Sequence, residues 1–292
     1  MSLSETNRYY QERCLSRHLI PRFGDYDISQ ISDTMINEFI ADQLDHGNLQ
    51  TGKPVSPNTI YKYLGMIRAI YRYGIDKGYI DGSPMDTIHF SRVPSAEFQI
   101  FSEAEVQLLI SAARPKWLGD MILLAYHTGM RRGEIYGLQW ADIDFDRSSL
   151  RIKRSVTSYS PHDFFVRPPK TKRSNRLLML DMVTIDMLSR RLSCRKSDTW
   201  IFPNQYGKLM SPFYNVKYFQ RACEVAGIPI RRFHDLRHSH ITWLLMHNVP
   251  LKVVQERAGH SNISITLNTY THYIPSMQQC AVDALNQMLP GQ

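Results

Sequence analysis

The sequence predicts a mainly α-helical protein of two domains, with a small antiparallel β-sheet inside the second. Three observations carry that prediction. Apolar residues recur at helical spacing up to about Thr87; an aperiodic stretch with Arg92, Pro94 and Ser95 follows; and the period changes to that of strands only between Asp142 and about Leu180. Residues 1–88 are therefore expected to form one domain, 89–98 a linker and 99–292 the other. With 292 residues, 43% of them hydrophobic, the chain has the means to bury a core in each.

The elements follow in order. Ile31, Met35, Ile36, Phe39 and Ile40 share a helical face. Ser56-Pro57 supplies a cap and a first-turn proline for a second helix, on which Ile60, Leu64, Ile67 and Tyr71 line one side. Asp81-Gly-Ser-Pro84 ends that run. Beyond the linker, Ser102-Glu-Ala-Glu105 reads as a capping box opening a helix with Val106, Leu109 and Ile110 inward. Met121 to Tyr126 is an apolar helix that Gly129 interrupts. Leu150, Ile152 and Val156, then Arg176 to Leu180, read as short antiparallel strands, with Lys170-Thr-Lys-Arg-Ser-Asn175 as a polar turn. Ser211-Pro212 opens a helix that stops at Gly227, and helices separated by Gly259 and Pro275 complete the chain. Ser261-Asn-Ile-Ser-Ile265 is too short an alternation to assign. The last helix, Pro275 to Leu289, carries Met277, Ala281, Ala284, Leu285 and Met288 on one face, which must be covered by its own domain or by a neighbour.

Composition excludes several classes. There is no run of about 18 apolar residues and no basic-then-apolar start, which argues against membrane and secreted proteins. The formal charge of +8 favours a polyanionic partner. Lys62, Arg68, Arg72 and Lys77 on the second helix form either a solvated face or a surface that lies on phosphates. Cys14, Cys194, Cys223 and Cys280 are far apart, with no metal-ligand spacing, and read as buried, reduced thiols of a cytoplasmic protein.

Chemistry concentrates in short pieces of the second domain: Thr128-Gly-Met-Arg131-Arg-Gly-Glu134, Pro169-Lys170-Thr-Lys172, His234-Asp-Leu-Arg237-His238, Gly259-His260-Ser261 and Thr269-Tyr270-Thr-His272. In this order they resemble the tyrosine recombinase family, the phage and mobile-element integrases, over essentially the whole chain. The resemblance implies a two-domain DNA clamp. Its catalytic fold would be that of the DNA breaking-rejoining enzymes, and its active site would comprise Arg131, Lys170, His234, Arg237, His260 and Tyr270. The implied activity is site-specific recombination through a 3′-phosphotyrosyl intermediate, integrating or excising a mobile element. The implied partners are double-stranded DNA bound by the first domain at a core site, a homo-tetramer on paired sites with exchange of the C-terminal helix, and a DNA-bending or excision accessory protein. No cofactor, metal or nucleotide is expected. The small arm-binding domain that precedes the core-binding segment in several integrases is expected to be absent.

The residue types suit that chemistry on their own terms. Rejoining DNA without a high-energy cofactor requires that the bond energy be stored in a covalent intermediate, and a tyrosine ester stores it. A phenol of pKa about 10 needs help to lose its proton. Two guanidiniums, Arg131 and Arg237, would stabilise charge on the phosphoryl oxygens. Lys170, its pKa lowered by neighbouring arginines, would protonate the departing 5′ oxygen, with Lys172 as its rival. His234 would accept the tyrosine's proton and His260 would donate to the phosphate.

Neighbouring residues have simpler readings. Arg132 suits a surface or a backbone phosphate. Glu134 either orients Arg131 or is a solvated helix carboxylate. His238 and His240 are read as surface or packing histidines, Asp235 as a brace or a helix-start carboxylate, and Tyr273 as packing. Two other classes remain open from sequence: a type IB topoisomerase acting as a monomer, and a DNA-binding regulator built on a decayed integrase.

Overall fold

The computed structural model describes residues 5–93, 98–168 and 175–270, together with Val282 and Leu285. The chain divides into two compact units, Met1–Ala96 and Glu97–Gln292.

In the first unit, α1 (Glu5–Cys14) passes through a π-helical turn (Leu15–Leu19) into α2 (Ile20–Phe23), and α3 (Asp33–His46) and α4 (Pro57–Asp76) follow. Ser32 and Ser56 each accept a backbone N–H in the first turn of their helices, at 3.2 and 3.3 Å. The expected apolar faces meet: Ile36, Phe39 and Ile40 of α3 pack with Ile60, Leu64, Ile67 and Tyr71 of α4. Of the basic residues on α4, Lys62, Arg72 and Lys77 are exposed, while Arg68 donates to the Ile88 carbonyl at 3.2 Å.

The second unit opens with α5 (Glu103–Ala112), α6 (Lys116–Thr128) and α7 (Arg132–Tyr136). Ser102 and Glu105 form the capping box of α5, and Glu105 is also gripped by both terminal nitrogens of Arg231 at 2.8 Å. Strands β1 (Ile143–Asp144), β2 (Ser149–Ile152), β3 (Ser155–Ser158), β4 (Phe164–Arg167) and β5 (Arg176–Met179) follow. They form two small antiparallel sheets, β1-β2-β5 and the hairpin β3-β4, instead of the single sheet expected from sequence. The break falls between β2 and β3, where Lys153 and Arg154 pair with the buried Asp142. The expected turn over Lys170 and Lys172 and the middle of the expected linker, 94–97, lie outside the described residues.

Five helices complete the unit: α8 (Met182–Ser193), α9 (Tyr214–Val225), α10 (Asp235–Met246), α11 (Leu251–Ala258) and α12 (Ile263–Tyr270). Sequence left 261–265 unassigned, whereas α12 begins inside it because Asn262 accepts the Ser264 N–H at 3.0 Å and starts the turn. Cys14 and Cys223 are buried as expected, but Cys194 is exposed just past the end of α8. Cys280 lies outside the described residues, as do most of the C-terminal segment, Tyr273 and His272. Among the described residues, no helix is long and apolar enough to cross a membrane.

Candidate active site

The site is assembled where two helices end and two begin. Helices α6 and α11 both stop at a glycine in the left-handed region, Gly129 at φ 65° and Gly259 at φ 66°. Neither position tolerates a side chain: a Cβ on Gly129 would lie 2.5 Å from His240 Cδ2, and one on Gly259 would lie 2.7 Å from Arg176 Nη1. The bare backbone at these ends turns its carbonyls toward the arginines. Arg237, 2% exposed on α10, donates to the carbonyls of Gly129 and Ala258, both at 2.7 Å. Two helix C-termini, each with partial negative charge, thus share one guanidinium.

Arg131 caps the start of α7 and stands at the rim, its side chain 37% exposed. Glu134 holds it twice, accepting the Arg131 backbone N–H and Nη1 at 2.9 Å, while Arg131 Nη2 donates to the Gly259 carbonyl at 3.1 Å. Glu134 is buried, and Arg176 of β5 meets it with two parallel bonds of 3.0 Å. Burial would raise the Glu134 pKa, yet the charge and hydrogen bonds of Arg176 hold it below the ordinary carboxylate range. Arg176 Nε also donates to the Arg257 carbonyl at 2.7 Å, tying β5 to the end of α11. Three guanidiniums therefore surround one carboxylate, and the cluster keeps an excess of positive charge.

The histidines respond to that field. Burial and then the nearby cationic groups push His260 down to about 3 and His234 down to about 4. Both are neutral at physiological pH. His260 places Nδ1 on Thr266 Oγ1 at 2.8 Å, and its loop is secured by Gln255 Nε2 donating to the His260 carbonyl at 3.1 Å. Burial and the Arg131 charge lower Arg237 to about 9, which leaves it protonated at neutral pH.

Tyr270, at the end of α12, is 1% exposed and packs with Ile241, Leu245, Val254 and Ala258. Burial pushes its hydroxyl pKa up. Its Oη lies 2.6 Å from His238 Nδ1. The sequence assigns the tyrosine's proton to His234 and reads His238 as packing, whereas the hydroxyl sits on His238, one residue beyond Arg237. The 3.6-residue helical period puts His238 over His234, their rings edge-on with centroids 5.0 Å apart. Phe98 stacks on His238 at 4.2 Å and meets Tyr270 edge-on at 5.3 Å.

Of the six expected residues, Arg131, His234, Arg237, His260 and Tyr270 come together here, and Lys170 lies outside the described residues, as does Lys172. Glu134 orients Arg131, one of the two readings open from sequence. Asp235 turns away to accept the backbone N–H of Arg232 and bonds from its guanidinium, 2.9 Å at the shortest. His240 is a packing residue, with Nδ1 on the Tyr126 carbonyl at 2.7 Å and Nε2 accepting from Arg257 at 3.2 Å.

A fixed pair of guanidiniums and neutral imidazoles with a phenol beside them is an arrangement that can take up a phosphate. Residues 99–276 match the model of the phage integrase family, and residues 3–91 match that of the phage integrase SAM-like domain. A XerC-like tyrosine recombinase of Caldanaerobacter subterraneus subsp. tengcongensis is 31% identical over 273 residues, 82% of this chain and 68% of the relative. The chain belongs to the phage integrase family of tyrosine recombinases. It is a site-specific recombinase, an enzyme that cuts and rejoins DNA through a phosphotyrosyl intermediate. The ICEBs1 integrase of Bacillus subtilis is 25% identical, with 96% of this chain and 78% of the relative covered. In fold, the chain resembles the Tn1549 transposon integrase solved with transposon right end DNA, with a TM-score of 0.78 at 20% identity over 99% of this chain and 95% of that one. It also resembles a lambda integrase dimer bound to a core site, with a TM-score of 0.70 at 16% identity over 94% of this chain and 73% of that one.

Two residues of this candidate site, Arg176 and His238, are not assigned a role in it by the sequence. In sequence Arg176 reads only as the start of a strand. Its signal was weak but present: an arginine opening a strand that otherwise alternates into a core needs a buried carboxylate, and Glu134 is one. His238 was visible in the motif, but nothing in sequence told which histidine the tyrosine would meet.

Proposed function

We propose that this recombinase acts on double-stranded DNA with Tyr270 as its nucleophile. Arg131 and Arg237 would bind the scissile phosphate and stabilise the charge that builds on its oxygens. His260 and His234, being neutral, would donate hydrogen bonds to it. Lys170 would protonate the departing 5′ oxygen, which leaves a 3′-phosphotyrosyl link and a free 5′ hydroxyl. The reverse attack by a 5′ hydroxyl of another strand completes exchange. Residues 1–88 would form the core-site DNA-binding domain, 89–98 the linker and 99–292 the catalytic domain, working in the cytoplasm as a homo-tetramer on paired sites with the C-terminal helix passed between protomers.

The observation that supports this reading is the joining of Tyr270 to the residue that follows Arg237, which puts a phenol beside the double-arginine receptor. Incubating the full chain with a randomised library of nicked duplexes and recovering covalent protein–DNA adducts tests it and reports the preferred sequence. Tyr270→Phe should form no adduct while binding the recovered duplex as the parent does. Adducts that persist in that variant overturn the assignment.

A further inference from the structure

Attack by Tyr270 requires a group that takes its proton, the role that the sequence gives to His234. Four histidines lie near the arginine cluster, and their contacts separate them. His240 has both ring nitrogens engaged, one by the Tyr126 carbonyl and one by Arg257. His260 spends Nδ1 on Thr266. His234 meets the edge of the His238 ring. His238 has Nδ1 on the Tyr270 hydroxyl at 2.6 Å, the length of a strong O–H to nitrogen bond. Its ring plane is set by the stack on Phe98, at 4.2 Å and 16° between planes.

Resting on Tyr270 as the nucleophile, we propose that His238 is a further catalytic residue, the general base that accepts the tyrosine's proton. The Oη–H bond breaks as the proton moves to His238 Nδ1 and an imidazolium forms. The freed electron pair makes the Oη–P bond, and the P–O5′ bond breaks with its electrons going to the oxygen that Lys170 protonates. Rejoining runs the same steps backward, and His238 returns the proton to Oη. No further reactant is needed.

The surroundings hold this imidazole neutral. His238 is faced by Phe98, Tyr270, His234, Asp235, Arg232 and Arg237. Burial lowers its pKa to about 4, Arg232 and Arg237 adding to the effect against the opposing charge of Asp235. A phosphate seated on Arg237 would offset one of the charges that lower it, while burial, the largest cause, remains. Without substrate the proton stays on the buried phenol.

The test uses the duplex recovered from the library in three chemical forms. His238→Ala and His238→Gln should both lose about 10²–10⁴-fold in the rate of adduct formation while binding DNA as the parent does. Glutamine keeps an acceptor and much of the packing but cannot carry the proton, so it separates a base from a positioning residue. A duplex with sulfur at the bridging 5′ position provides the second separation, because a thiolate leaves unprotonated. It should restore Lys170→Ala and leave both His238 variants slow. A loss below about tenfold in His238→Gln, or recovery of either His238 variant on the sulfur-bridged duplex, overturns the proposal. Adducts in Tyr270→Phe instead overturn the nucleophile assignment beneath it, so the two failures are distinguished.

Discussion

Arg237 is gripped by carbonyls from two helix ends and Arg131 by Glu134 and a third carbonyl, whereas Tyr270 is kept by one hydrogen bond and an apolar pocket. The contrast bears on which half of the site moves. Charge-assisted bonds in a dry interior are strong, and each is closed by a partner that has no alternative. Lifting the Tyr270 ring partly out of its pocket, with the hydroxyl still on His238, forfeits less than the about 1.5–3 kcal/mol that its full side-chain burial contributes. That is within the reach of DNA binding. The half that holds the arginines is the more firmly fixed, and the tyrosine is the part that a bound substrate can shift.

The largest way to break this contrast is to open the charged half. Glu134→Ala leaves Arg176 buried with its main partner gone, and a loss of about 3–5 kcal/mol in unfolding free energy is expected by denaturant titration. A loss below about 1 kcal/mol would show that the network is not what holds this half. Next comes Arg237→Lys, which keeps the charge but cannot reach the Gly129 and Ala258 carbonyls together. Adduct formation should slow by about 10²–10³-fold with the fold intact by circular dichroism. Parent-like rates there would mean that charge alone suffices.

Acid should weaken both halves. His234 and His238 are pushed down to about 4, and His240 and His260 to about 3. Unfolded histidine titrates near pH 6.5, so between that value and the folded ones the unfolded chain binds more protons. The stabilisation is complete above about pH 6.5 and declines as the pH falls toward about 4. Glu134, also lowered, acts in the same direction at more acid pH. Thermal melts should show the midpoint dropping from pH 7 to pH 5, and His240→Gln should flatten that slope; an unchanged midpoint contradicts the burial of neutral imidazoles. The smallest effect is expected from Thr266→Val, which removes the partner of His260 Nδ1 on the helix that carries Tyr270. It should cost about 1 kcal/mol and change the cleavage rate less than Arg237→Lys does.

Most of the helical framework was legible because caps and periodicity are local. Ser32, Ser56 and the Ser102/Glu105 box cap helices, as their side chains dictate, and Gly129 and Gly259 end helices where only a residue without Cβ fits. The strands were less legible. The split into two sheets falls where Lys153 and Arg154 turn to the buried Asp142, and alternation along the strands does not show that pairing. At the site, the motifs singled out Arg131, Arg237, His234, His260 and Tyr270, but their spacing was silent on contacts.

What the sequence determined by itself was the set of chemical groups, two arginines and a tyrosine among histidines, and the helices on which they ride, because residue type and helical period are properties of neighbours along the chain. Only the tertiary structure decided that Arg176 completes the Glu134 ion pair and that the Tyr270 hydroxyl meets His238 rather than His234. Both depend on how α10, α11, α12 and β5 pack, and a hydrogen bond is chosen by distances of a few ångströms between residues that are far apart in the chain.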